Sequence, residues 1–230
     1  MKPICLPNNE QNGGNGMIQI LFEGLMRTIC EYVSEKKKYF QTLKDIEQRW
    51  EYSDKKKSEC RNQAESEFNE LKKSFIDEFT GNINSIKKAF QDKQKSYSLD
   101  NTSLHNAMFF IANVGKKNDS DFSATPELIE SVVSEFIGDI RSLNMLLSIA
   151  ESNGLSKTAL DRIRKFLYSD AELDAVLEKF IHALDGGTII DYVAVNLKKV
   201  AYKCGIVLDD CEVHDEIGAD TLVKKTMGLN

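Results

Sequence analysis

MIQILFEGLMRTICEYVSEKKKYFQTLKDIEQRW, residues 17–50, decides how the first half of the chain folds. Its apolar residues recur at alternating steps of three and four: Ile18, Phe22, Leu25, Ile29 and Tyr32, then Tyr39, Leu43, Ile46 and Trp50. That spacing keeps one side of an α-helix apolar over many turns. The row fades through SDKKKSECRNQ, residues 53–63, and returns as Ala64, Phe68, Leu71, Phe75, Phe79, Ile83, Ile86 and Phe90. Steps averaging near 3.5 residues are those of a coiled-coil seam. The seam is imperfect, however. Lys36 and Lys57 fall where an apolar residue is due, and Tyr and Phe stand where a dimeric coiled coil prefers Leu, Ile or Val. These departures favour a long helical hairpin, or a helix packed in a bundle, over a parallel two-stranded rod. Ser53-Asp54 is one place for the chain to turn. Gly81-Asn82 is another, with glycine ending one helix and asparagine capping the next.

The same stretch holds two lysine triplets, Lys36–Lys38 and Lys55–Lys57, with aromatic residues between them. Nucleic-acid surfaces interleave bases and aromatics, but they need a concentrated positive stripe and exposed rings. At ~100° per residue, Tyr39, Phe40, Leu43, Ile46 and Trp50 share one side of the helix. Lys37, Lys38, Lys44, Arg49, Lys55 and Lys56 fall across the other, among Asp45, Glu51 and Glu59. From Glu35 to Glu59 there are eight basic and six acidic residues, an excess of only two. The expectation is a solvated helix face, not a nucleic-acid or membrane surface.

Composition fits a folded all-α protein. Apolar residues make up 41% and charged residues 29%, and three prolines with 13 glycines are few helix breakers for 230 residues. The net charge of −6 is unevenly placed. Residues 1–96 carry 17 Lys/Arg and 15 Asp/Glu (+2), and the rest carry 13 and 21 (−8). With no strongly basic domain, long-range attraction to nucleic acid or anionic lipid is expected to be weak. Five scattered cysteines make no disulfide framework, so reduced thiols in a cytoplasmic protein are expected. MKPICLPNNEQNGGNG, residues 1–16, lacks the apolar core of a signal peptide and reads as a flexible tail. No uncharged apolar run approaches the ~18 residues that span a bilayer.

Beyond a boundary expected at Ser96–Asp100, the pattern becomes that of several shorter helices. Residues 101–114 read as one helix closed by Gly115. Thr125-Pro126 opens a second, expected to run unbroken to Asn153-Gly154. A third spans Lys157 to Tyr168. Ser169 and Glu172 form a capping box for a fourth. After the Asp185-Gly186-Gly187 turn, Thr188 is placed to cap the last. The organisation expected is therefore a tail over 1–16, a long coiled-coil-like segment over 17–96, a compact helical bundle over 97–205 and an acidic tail over 206–230.

Chemistry is sparse. His105, His182 and His214 have no second histidine at a ligand-like spacing, and Cys204, Cys211 and His214 lack the paired spacing that zinc sites use. Gly186-Gly187-Thr188 precedes a helix, but no P-loop lysine follows. Asp170, Glu172, Asp174 and Glu178 crowd one helix start, where acids oppose the dipole. No catalytic residue, metal site or cofactor is therefore expected. The reading is a non-catalytic assembly, adaptor or scaffold protein that binds a protein partner, itself or another chain, along its seam. The residues expected to carry that contact are Ile18, Phe22, Leu25, Ile29, Leu43, Ile46, Trp50, Phe68, Leu71 and Phe75. A nucleic-acid-associated protein using the lysine clusters is the next reading. Then come a membrane-active helical protein exposing Met17–Val33 or Leu104–Val114, and an enzyme without a recognisable motif.

Overall fold

A computed structural model describes residues 13–95, 102–114 and 126–209. Among these the protein is all-α, a long helical hairpin followed by a helical bundle, with eight helices. They are α1 (Gly13–Gln48), α2 (Asp54–Lys95), α3 (Thr102–Val114), α4 (Pro126–Ser134), α5 (Ile140–Ser152), α6 (Lys157–Arg164), α7 (Asp170–Leu184) and α8 (Ile190–Lys203). At ~1.5 Å per residue, α1 runs about 54 Å and α2 about 63 Å.

α1 and α2 form an antiparallel pair joined at residues 49–53. The turn is held from several sides. The Ser53 hydroxyl accepts from the Lys56 amide at 3.3 Å, which starts α2. Lys57 donates through Nζ to the carbonyl of Glu47 at 2.8 Å, satisfying an acceptor in the last turn of α1. Arg61 pairs with the Glu47 carboxylate at 3.1 Å, and Arg49 donates to the Tyr52 hydroxyl at 2.6 Å. Lys57, which interrupts the apolar row, closes the hairpin. Lys36 is buried, its ammonium 5.9 Å from the centre of the Tyr32 ring. Its long apolar stem lets it sit within a seam that a short polar residue would break.

Two cores lie under these helices. The first joins α1, α2, α7 and α8, and the second joins α3, α4, α5 and α6. The hairpin thus shares its core with α7 and α8. An aromatic series crosses the join: Tyr32 lies 6.0 Å from Phe75 and 6.2 Å from Phe180, and Phe79 stacks on Phe180 at 4.2 Å. At the other end of α2, Phe90 stacks on Tyr168 at 4.8 Å. Such pairs add to the area that the rings remove from water.

Several expectations need correction. α2 passes through Gly81-Asn82 without a break. Gly81 is exposed and crowded by nothing, and the flanking apolar rows on either side of it are in phase, so the helix continues across it. The helix expected over 126–153 is instead two. Gly138 adopts φ 85°, and the Asp139 carboxylate caps α5 by accepting from the Ser142 amide at 3.1 Å and its hydroxyl at 2.6 Å. A side chain at Gly138 would lie 2.7 Å from the Cys204 carbonyl oxygen, so the break also lets the end of α8 approach. α6 ends at Arg164 rather than Tyr168, because Phe166 and Tyr168 are delivered to different cores. Ile189, not Thr188, occupies the position before α8. The capping box of α7 is present, with the Glu172 carboxylate accepting from the Ser169 amide at 3.2 Å.

At the ends, α1 begins at Gly13, inside the stretch read as a tail. Ile206 is buried and Leu208 packs against the first core, so the stretch read as an acidic tail starts as part of the body. Cys30 is disulfide-bonded, whereas Cys60 and Cys204 form no disulfide. The expectation that all five thiols are reduced does not hold. Residues 1–12, the Ser96–Asp100 boundary, Asn101, Gly115, Thr125 and residues 210–230 lie outside the described residues. No helix among the described residues is long and apolar enough to cross a membrane.

Candidate interaction surface

The seam residues divide into two groups. Ile18, Phe22, Leu25, Ile29, Phe68 and Phe75 are buried in the first core, and Ile46 is buried between the two helices farther along the hairpin. All seven pack against other residues of the same chain, the first six in the core that the hairpin shares with α7 and α8 and Ile46 outside it. Leu43 is half-buried, Leu71 is 41% exposed, and Trp50 is 90% exposed. The projection that put Trp50 on the seam assumed a helix continuing past Gln48. α1 stops there, so the indole stands out from the turn.

Between Lys36 and Phe68 only Ile46 is buried, so the distal half of the hairpin packs little beyond its own partner helix. On one side, a shallow groove of about 150 Å³ lies between α1 and α2, lined by Glu35, Tyr39, Thr42, Ala64, Phe68 and Leu71 among others. Its aromatic wall is preorganised: Tyr39 and Phe68 stack at 4.4 Å, nearly parallel. Burial pushes the Tyr39 phenol above its ordinary pKa, and the Glu65 carboxylate adds to the shift. Lys38 is tied to Glu35 at 2.6 Å at the rim of the groove. From Tyr39 to the Trp50 turn is about 16 Å at ~1.5 Å per residue. This stretch has accessible aromatic and aliphatic side chains framed by charges, as protein-binding surfaces do.

His182 packs its ring over Gly187, where an added side-chain carbon would lie 2.2 Å from the imidazole. His105 is exposed on α3. Asp174 pairs with Lys87 at 2.5 Å and Glu172 with Lys203 at 2.5 Å, so these members of the acidic cluster at the start of α7 have structural partners. Among the described residues no group of three or more His, Cys, Asp or Glu side chains is placed to hold a metal ion. Of the cysteine–histidine set, Cys204 is buried, and Cys211 and His214 lie outside the described residues. No protein-family model matches the chain, and no curated protein or solved structure matches it.

Proposed function

We propose that the protein is a non-catalytic assembly or adaptor protein whose partner contact is the distal half of its helical hairpin. The observation that carries this reading is Trp50, 90% exposed at the hairpin turn, with Leu71 exposed and Tyr39 half-buried below it. Exposing an indole to water is unfavourable, and tryptophan is enriched among the residues that dominate binding energy. The proposal keeps Leu43, Trp50 and Leu71 as contact residues and assigns the buried seam to folding. Pairing with a second copy is the simplest assembly, because an isologous contact brings the same exposed residues together from both chains.

The test is absolute mass by light scattering after size exclusion, over a dilution series, for the wild type and for Trp50→Ala/Leu71→Asp. Both positions are exposed, so each change is expected to alter monomer stability by less than about 0.5 kcal/mol. A wild-type mass at a multiple of 26 kDa that falls to 26 kDa in the variant supports self-assembly. A monomeric wild type directs the contact to a foreign protein, sought by comparing what the wild type and the variant retain from native lysate. A monomer with identical retained sets contradicts the proposal.

A further inference from the structure

Cys30 is half-buried on α1 against the first core, and its sulfur is in a disulfide. The chain holds four other cysteines, Cys5, Cys60, Cys204 and Cys211. Position along the helices separates them. Thr28 donates to Glu78 at 3.1 Å, Tyr32 faces Phe75 at 6.0 Å and Tyr39 stacks on Phe68 at 4.4 Å, which sets the antiparallel register of α1 and α2. In that register Cys60 stands level with Ile46, about 24 Å along α1 from Cys30. Cys204 is close enough to Tyr168 to act on the charge of its phenol, and the Tyr168 ring stacks on Phe90. Phe90 is level with the first turns of α1, about 20 Å from Cys30 in the other direction. A disulfide needs its two Cα atoms within about 7 Å, and neither Cys60 nor Cys204 forms one.

The end of α8 points to Cys211. Gly205, at φ 75°, turns the chain there. Its amide donates to the Tyr202 carbonyl at 2.9 Å, and the Ile206 amide donates to the Ala201 carbonyl at 2.9 Å. Ile206 is then buried, Val207 is 78% exposed, Leu208 packs against the first core and Asp209 is exposed. That alternation is the mark of extended chain laid with one edge on a core. Cys30 borders the same core, and Cys211 follows Asp209 by two residues. Extended chain from Cys204 to Cys211 spans about 23 Å, enough to return along α1 to the level of Cys30. Cys5 has less slack. Gly13 lies about 25 Å from Cys30 along α1, and the stretch from Cys5 to Gly13 spans about 26 Å only when straight.

We propose that Cys30 is joined to Cys211, a bond that ties the C-terminal stretch of the chain to the hairpin. It does not rest on the distal hairpin contact. The bond forms by exchange with a glutathione-class disulfide. One cysteine thiolate attacks that disulfide and displaces a glutathione thiolate, and the other cysteine thiolate then attacks the protein sulfur of the mixed disulfide and displaces the second. The two protein thiols give up two protons, which the displaced thiolates take, and two electrons pass from the protein to the glutathione pair. Half-burial leaves Cys30 open to this chemistry. A bond between residues so far apart in sequence removes more freedom from the unfolded chain than a short loop does. It persists in oxidising surroundings and opens in reducing ones, so the attachment of the C-terminal stretch follows the redox state.

The experiment is disulfide mapping of the full chain. The protein is equilibrated in an oxidising mixture of glutathione and its disulfide, alkylated with N-ethylmaleimide in denaturant and digested without reduction. Trypsin followed by cleavage at aspartate separates Cys204 from Cys211, because Asp209 and Asp210 lie between them. The expected result is a linked pair of peptides holding Cys30 and Cys211, from protein that runs at 26 kDa without reductant. The oxidised wild type is expected to melt about 5–15 °C above its dithiothreitol-reduced form. Cys211→Ser is expected to abolish that difference and Cys5→Ser to keep it. Cys30 linked to Cys5, linked to a second copy, or fully alkylated overturns the proposal. So does a redox-dependent melting difference that survives in Cys211→Ser.

Discussion

The two halves of the hairpin are built from one amphipathic pattern but have different surroundings. Near its open end, Ile18 to Val33 on α1 and Phe75 to Phe90 on α2 meet α7 and α8, and the apolar rows disappear into a four-helix core. Toward the turn, among the described residues, the same two helices pack chiefly on each other, and between Lys36 and Phe68 Ile46 alone is buried. Periodicity tells a helix which face is apolar. It does not say what covers that face, and here the covering helices lie far along the chain, over residues 170–203.

The comparison breaks most visibly at Phe180, the α7 ring that stacks on Phe79 and reaches Tyr32. Phe180→Ala is expected to cost about 3–5 kcal/mol, read from the urea midpoint, with the hairpin and the last two helices lost together. Two separate transitions would mean that the hairpin folds on its own. Ile46→Ala probes the distal half. Its cost is expected near 2 kcal/mol, at the low end for removing a buried isoleucine, because the site can relax toward solvent. Hydrogen exchange is expected to show the loss confined to the distal stretch.

A smaller effect belongs to Tyr168, which donates to Asp170 at 2.8 Å. Burial raises its phenol pKa, and the Asp170 hydrogen bond and charge raise it further. The folded state therefore favours the neutral phenol. That contribution is complete below the unfolded tyrosine pKa of ~10 and is lost as pH rises from there toward the folded value. Tyr168→Phe is expected to cost about 1 kcal/mol at neutral pH and to flatten the decline above pH ~10, measured by thermal melts across pH. Equal slopes in the two proteins would sink this assignment. The smallest change has the opposite sign. Gly81→Ala places a better helix former in an exposed, uncrowded interior turn of α2 and is expected to stabilise by about 0.5–1 kcal/mol in chemical denaturation.

Much of the fold was legible because its signals are local. The rows from Ile18 and from Ala64, the turn residues at Ser53-Asp54 and the Ser169/Glu172 box each act within a few residues of themselves. What stayed hidden depends on distant chain. Gly81-Asn82 looks like a stop and Glu135–Asp139 like continuous helix, yet the stop falls at Gly138, where the end of α8 approaches the backbone. Lys36 looks like a defect in the seam, and only the folded aromatic cluster shows its stem to be core. The burial of the candidate contact residues was not legible. Leu43, Trp50 and Leu71 stay accessible, while the other named seam residues are core, since no local pattern distinguishes an apolar face covered by its own chain from one left open.

Native-state hydrogen exchange along α1 and α2 tests the difference between the two halves most directly. Amides from 18 to 33 and from 75 to 90 are predicted to exchange only through global unfolding, with Phe180→Ala lowering both sets equally. Amides from 40 to 47 and from 57 to 66 are predicted to exchange through local opening at distinctly lower free energy. Uniform protection along both helices, in protein shown to be monomeric, would contradict the account, because the distal half would then need cover that the described residues do not provide.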